Sequence, residues 1–196
     1  MWAGDVDVWA ACGTDGVRRF VVDRWESDAV LPVISIHGVA DDDVWAAGIG
    51  LYHRDGDGWT ALSATNLVDV WATGPGEAFA FAPNTVLHAV VGAGVTTLPP
   101  PPAPTNVQSI FAVSASDVWV GTSLLHRFDG AQWTTTDPRI GLVLDMWGSG
   151  SDDVWLAGRS AVSHWDGAGF TNFSLPTGVG VLRRSQTGRE HRQGEE

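Results

Sequence analysis

DDDVWAAG, from Asp41 to Gly48, decides the fold, because the chain keeps writing the same phrase. It returns as SDVWVG from Ser116 to Gly121 and as DDVWLAG from Asp152 to Gly158, and near the start it stands as DVDVWAACG from Asp5 to Gly13. Aligned on their aromatic, five units place Trp9, Trp45, Phe79, Trp119 and Trp155 at intervals of 36, 34, 40 and 36 residues. Two positions earlier each has an acid: Asp7, Asp43, Glu77, Asp117 and Asp153. A period in this range is the mark of stacked supersecondary units, none of which can bury its apolar faces alone.

The units share two more phased positions. Eight residues before four of these aromatics stands another large ring, at His37, Trp71, Phe111 and Trp147; in the first unit the spacing is seven, at Trp2. Downstream come His53, His88, His126 and His164, then a turn and a further aromatic: DGDGW to Trp59, DGAQW to Trp133, DGAGF to Phe170. The first unit shortens this to VVDRW, ending at Trp25. Of 11 tryptophans only Trp165 lies outside the three phases, so the repeat dictates where indoles go.

Each unit holds four short apolar stretches, in the fourth VQSIFAV, DVWVG, SLLHRF and QWTTT. None sustains a helical period, and Val, Trp, Phe and Thr favour strands. Four strands of about five residues with tight turns fill such a period. The expected fold is all-β: a β-propeller of four-stranded antiparallel blades, about five repeats, either a small closed ring or an incomplete arc. The repeated aromatics would fill the wedges between blades. The acids are expected to cap the turn into the second strand. The Asp-Gly pairs at Asp55, Asp129 and Asp166 suit tight hairpins between third and fourth strands, where a positive φ is wanted.

The combination of acid-Val-Trp-Ala-x-Gly with Asp-Gly-x-x-Trp resembles the tandem-repeat β-propellers of large secreted bacterial polypeptides. His126 to Trp133 is also distantly similar to the Asp-box turn of sialidase-like propellers, though the Ser or Thr of a true Asp-box is missing. The resemblance covers about residues 1–175. It implies the propeller fold and a secreted or cell-surface location, and it says almost nothing about activity.

Composition narrows the chemistry. The 196 residues carry 11 basic and 23 acidic side chains, a formal charge of −12, and every basic residue is Arg. Such a surface repels phosphate backbones, so no nucleic-acid partner is expected. No apolar run is long enough to span a bilayer as a helix, and no membrane insertion is expected. Cys12, the one cysteine, is expected to be a small buried side chain. No cofactor, metal or catalytic residue is assigned. The four phased histidines fall on different blades and cannot converge on one ion. Asp55-Gly-Asp57-Gly lacks the later ligands of a calcium loop. A sialidase-type site would need clustered arginines and a tyrosine nucleophile, whereas Tyr52 is a repeat-phased strand residue.

The candidate axial polar residues are Asp69, Asp145 and His37, on the innermost strands. Asp69 and Asp145 align with each other and could form a carboxylate pair, or could be solvated channel residues. The expected function is a non-catalytic recognition or scaffold module, binding an unknown protein or carbohydrate through loops or inter-blade grooves. The alternatives are a degenerate glycoside hydrolase or lyase using the axial carboxylates, and a truncated gene remnant without activity of its own.

The expected units are 1–31, 32–65, 66–104, 105–140 and 141–178, with a further strand starting at 179–182 and a disordered tail at 183–196. LPPPPAPTN, from Leu98 to Asn106, reads as a stiff polyproline connection that lengthens the third interval.

Overall fold

The structure is a computed structural model that describes residues 1–102, 106–159 and 161–175. The expected strand at 179–182 and the tail lie outside the described residues. Five small antiparallel sheets follow one another in sequence order, and no helix occurs among the described residues. The first blade comprises β1 (Trp2–Ala3), β2 (Val8–Ala11), β3 (Val17–Val21) and β4 (Arg24–Ala29). The second comprises β5 (Val33–Ala40), β6 (Asp43–Arg54) and β7 (Trp59–Asn66). The third runs through β8 (Asp69–Gly74), β9 (Glu77–Ala82), β10 (Thr85–Val90) and β11 (Gly94–Thr97). The fourth holds β12 (Ser109–Ser114), β13 (Asp117–Gly121), β14 (Leu125–Phe128) and β15 (Trp133–Thr136). The fifth holds β16 (Val143–Gly150), β17 (Asp153–Gly158), β18 (Ala161–Trp165) and β19 (Phe170–Ser174).

The second blade has three runs but four strands. The first half of β6 pairs with β5 and its second half with β7. Residues eight apart along a straight strand stand roughly 26 Å apart, yet the rings of Trp45 and His53 lie 4.5 Å apart. The run therefore doubles back at Ile49-Gly50, where Gly50 takes a φ of +122°.

The spacing of the aromatics is the register of the first hairpin. Trp2 faces Trp9, His37 faces Trp45, Trp71 faces Phe79, Phe111 faces Trp119 and Trp147 faces Trp155. Successive inner rings then meet each other: His37 stacks on Trp71 at 4.3 Å, and Trp71 meets Phe111 edge-on at 5.0 Å. Inner strands β5, β8, β12 and β16 lie side by side in that order. The fifth sheet does not reach round to the first, so the molecule is an open arc of a propeller.

The glycine that closes the phrase has a packing reason. A Cβ at Gly48 would meet the Pro32 carbonyl oxygen and stand 2.6 Å from Val33 Cα, and one at Gly158 would meet Ile140. These are the segments that bring the chain in from the preceding blade, so the phrase ends where incoming backbone crosses its second strand. Cys12 departs from expectation: it is exposed, because β2 stops at Ala11 and Cys12 begins the turn.

Candidate functional site

The acids do not cap their own turns through backbone N–H groups, as the sequence suggested, although Asp153 accepts from Ser149 Oγ of its turn at 2.5 Å. Each acid reaches across to the third strand and holds a planar cationic or imidazole group. Asp7 accepts from Arg19 Nε at 2.8 Å, and Asp117 takes Arg127 with two N–H groups, Nε at 2.6 Å and Nη2 at 3.1 Å. Asp43 Oδ1 lies 2.9 Å from His53 Nε2, Glu77 2.7 Å from His88 and Asp153 2.7 Å from His164. In every blade the held group lies over the aromatic of the same phrase. Arg19 is 5.2 Å from the Trp9 ring and Arg127 4.6 Å from that of Trp119. His53, His88 and His164 sit 4.3–4.5 Å from Trp45, Phe79 and Trp155. Five triads of an acid, an Arg or His and an aromatic thus repeat around the arc.

Arg19 and Arg127 are the members that the histidine phasing missed. In the fourth blade Trp119 faces Arg127, not its neighbour His126. His126 points to the opposite, buried face, where its nitrogens meet Thr122 Oγ1 and Thr135 Oγ1 and burial lowers its pKa. The signal was weak, since the held residue follows the phrase aromatic by eight to ten residues as the hairpin between them changes length.

The axial residues are engaged locally. Asp69 on β8 accepts a short hydrogen bond from Ser35 Oγ of the second blade and another from Val70 N–H at 3.0 Å. Asp145 on β16 accepts from Met146 N–H at 2.9 Å. β12 lies between these two inner strands. His37 is buried, and its Nδ1 accepts the Ala72 N–H of the next blade at 3.0 Å, which puts the proton on Nε2. Burial pulls its pKa down to about 3, so it is neutral and acts as a staple between blades. Among the described residues no group of three or more His, Cys, Asp or Glu side chains is placed to share a metal ion.

The Asp-Gly hairpins form as expected. Gly56, Gly130 and Gly167 take φ values of +97°, +94° and +89°. Asp129 accepts from Ala131 and Gln132 N–H, and Asp166 from Ala168 and Gly169 N–H, at 2.8–2.9 Å. These donors hold both carboxyls below the usual carboxylate range.

Two grooves matter. One, of about 230 Å³, opens where turns of the first two blades meet, between Thr14, Pro32, Ile34, Ile49, Asn66 and Leu67. Ile34 and Ile49 are 60% and 64% exposed there. The other, of about 320 Å³, lies on the free face of the fifth blade beside Asp145, Trp147, Trp155, Leu156 and Val162.

No family model matches the sequence, and no curated protein matches it. Solved structures do. The WD40 β-propeller domain of Doa1 aligns with a TM-score of 0.70 at 11% identity, over 90% of this chain and 68% of that one. A streptogramin B lyase gives 0.63 at 14% identity, over 77% of this chain and 58% of the lyase. The extracellular domain of BT4673, a putative hybrid two-component system from B. thetaiotaomicron, gives 0.67 at 16%, over 88% of this chain and 26% of that one. The chain thus spans little more than half of the lyase it matches, and at these identities the likeness is one of fold.

Proposed function

We propose that the protein is a non-catalytic propeller module that recognises a protein partner through the 230 Å³ groove at its turn face. The observation that carries this reading is the pair of exposed isoleucines, Ile34 and Ile49, flanking an apolar slot with Thr14 and Asn66 at its edge. An apolar side chain with a polar neighbour on a partner surface fits such a lining. The engagement of Asp69, Asp145 and His37 by local donors supports a structural role for the axis over acid–base chemistry. The Asp-Gly-x-x-aromatic hairpins support kinship with Asp-box repeat propellers and, through them, a secreted or cell-surface bacterial setting.

The test is selection of binders from a displayed peptide library, followed by affinity measurement against an Ile34→Asp/Ile49→Asp variant. Binding that falls at least tenfold in the variant, whose far-UV circular dichroism is unchanged, is the expected result. Selected binders that ignore both substitutions refute the site. A glycan array run alongside distinguishes a carbohydrate partner. Hydrolase or lyase turnover by the parent chain that disappears in Asp69→Asn would replace this reading with the enzymatic one.

A further inference from the structure

Four of the five phrase aromatics are sealed. Trp9, Trp45 and Phe79 are fully buried and Trp119 is 2% exposed, whereas Trp155 is 37% exposed. The difference lies in what comes next in the arc. Trp9 is covered from the second blade by Arg54, 5.0 Å from its ring, and by Trp59 at 6.3 Å. Trp119 is covered from the fifth blade by Trp165 at 6.1 Å. Arg54 and Trp165 occupy one place in the repeat, paired in register with the aromatic that follows the third hairpin, Trp59 and Phe170. Among the described residues Trp155 has its own His164 and Phe173 against its ring and nothing from a following blade.

The opposite end of the arc carries the other half. In the first blade Phe20 pairs with Trp25 in that same register, their rings 5.4 Å apart. Trp25 is 45% exposed, because no preceding blade offers a phrase aromatic to cover. The two open ends are thus the two halves of an interface that the chain builds internally between its first and second and its fourth and fifth blades.

We infer that the gap between the fifth blade and the first takes two further blades of this same repeat. The size of the gap sets the number. Five blades span 68% of the Doa1 domain, which makes the full ring one of about seven, within the usual four to eight. A second copy of this chain brings five blades and overfills such a gap. The five described blades use all five copies of the phrase, so the two further blades lie outside residues 1–175. The chemistry required is specific. The entering segment presents an aromatic or Arg from a third-strand hairpin to Trp155, and a phrase Trp with its acid and Arg or His to Phe20 and Trp25.

A graft tests this. Leu31-Pro32, the junction by which the chain enters its second blade, recurs as Leu175-Pro176. Residues 33–104 appended after Pro176 therefore supply two blades through a connection the chain already uses. The expected result is a melting temperature at least roughly 5 °C above that of the parent. Trp155→Ser should abolish most of that gain while shifting the parent by less than half as much. Equal shifts from Trp155→Ser in both chains overturn the proposal, as does an extension that stays unfolded on a folded parent. Sedimentation of the parent that rises with concentration and is lost in Trp155→Ser shows a second copy in the gap, and also overturns it. Glycan binding by the parent that needs Trp155 makes the occupant a sugar and does the same.

Discussion

Trp119 and Trp155 hold the same place in the same phrase, and each stacks on a third-strand group, so replacing each by Ala isolates the effect of a covering blade. Trp119 is 2% exposed and Trp155 37%. A tryptophan has up to about 250 Å² to bury, so the extra exposure at Trp155 amounts to roughly 90 Å². At ~25 cal/mol per Å² that is about 2 kcal/mol of burial that Trp155 never had. Trp119→Ala also leaves a closed void between two blades, which adds a cavity cost, whereas the space left at Trp155 opens to solvent and fills with water. Trp119→Ala should therefore cost about 3–5 kcal/mol and Trp155→Ala at least 2 kcal/mol less. Urea unfolding followed by far-UV circular dichroism, with the slope fitted for each variant, measures both. The end blade is held by one neighbour instead of two, so a separate early transition in Trp155→Ala is compatible with the scheme. Equal costs, or a larger cost at Trp155, would refute the idea that these rings are placed to fill wedges between sheets.

Three further outcomes are expected. The folded pKa values of Asp129 and Asp166 lie below their unfolded ones, so each contributes stability above the unfolded value near 3.8 that is lost as pH falls through the folded value; melting curves from pH 6 to 2 should show the parent losing its advantage over Asp129→Ala/Asp166→Ala below about pH 4. Val22 carries a φ of +60° in the hairpin where other blades place Gly, and is 94% exposed; Val22→Asn should raise stability by about 1 kcal/mol, read from the urea midpoint. The buried Nε1 groups of Trp9 and Trp119 have no hydrogen-bond partner among the described residues, while Trp45 Nε1 donates to Asp43 at 2.9 Å; Trp45→Phe should therefore cost about 1 kcal/mol more than Trp119→Phe in the same assay.

Much of the architecture was legible because the repeat fixes register. A spacing of eight between His37 and Trp45, or Trp147 and Trp155, is a property of one hairpin, and it survives exchange of Trp for His or Phe. The Asp-Gly turns were legible for a similar reason, since only a few residues tolerate the backbone they need. Openness of the arc was not legible, since inter-blade packing is side chain against side chain and leaves the same sequence whether or not the ring closes. The acids were misread because a carboxylate two residues before a strand aromatic suits both a turn cap and a cross-strand pair. What distinguishes them is the third strand, and there His126 drew the eye from Arg127. Asp69 and Asp145 fall at matching positions, but the sequence held no sign that Ser35 would take up Asp69 from the neighbouring blade.

The triads favour Arg or His over Lys at the third-strand position of each blade. The group between acid and aromatic packs against a ring, at angles from 4° for His88 to 45° for His53, while pointing an N–H at a carboxylate. Guanidinium and imidazole do both, whereas an ammonium is a strongly hydrated point charge on a flexible stem and does neither well. The chain uses Arg at 19 and 127 and His at 53, 88 and 164 for one role. Shape therefore matters more than permanent charge, and this separates two substitutions of Arg127. Arg127→Lys keeps the charge and loses the two-pronged contact with Asp117 and the stacking on Trp119 at 4.6 Å. Arg127→His gives up the permanent charge and restores the arrangement of the second, third and fifth blades. At pH 7, Arg127→Lys should cost about 1–2 kcal/mol, with Asp117 left without its fork and Trp119 without its lid. Arg127→His should recover at least half of that. Charge-driven pairing predicts the reverse order, and finding lysine the better substitute in urea unfolding would show that the stacked geometry is a by-product of the ion pair.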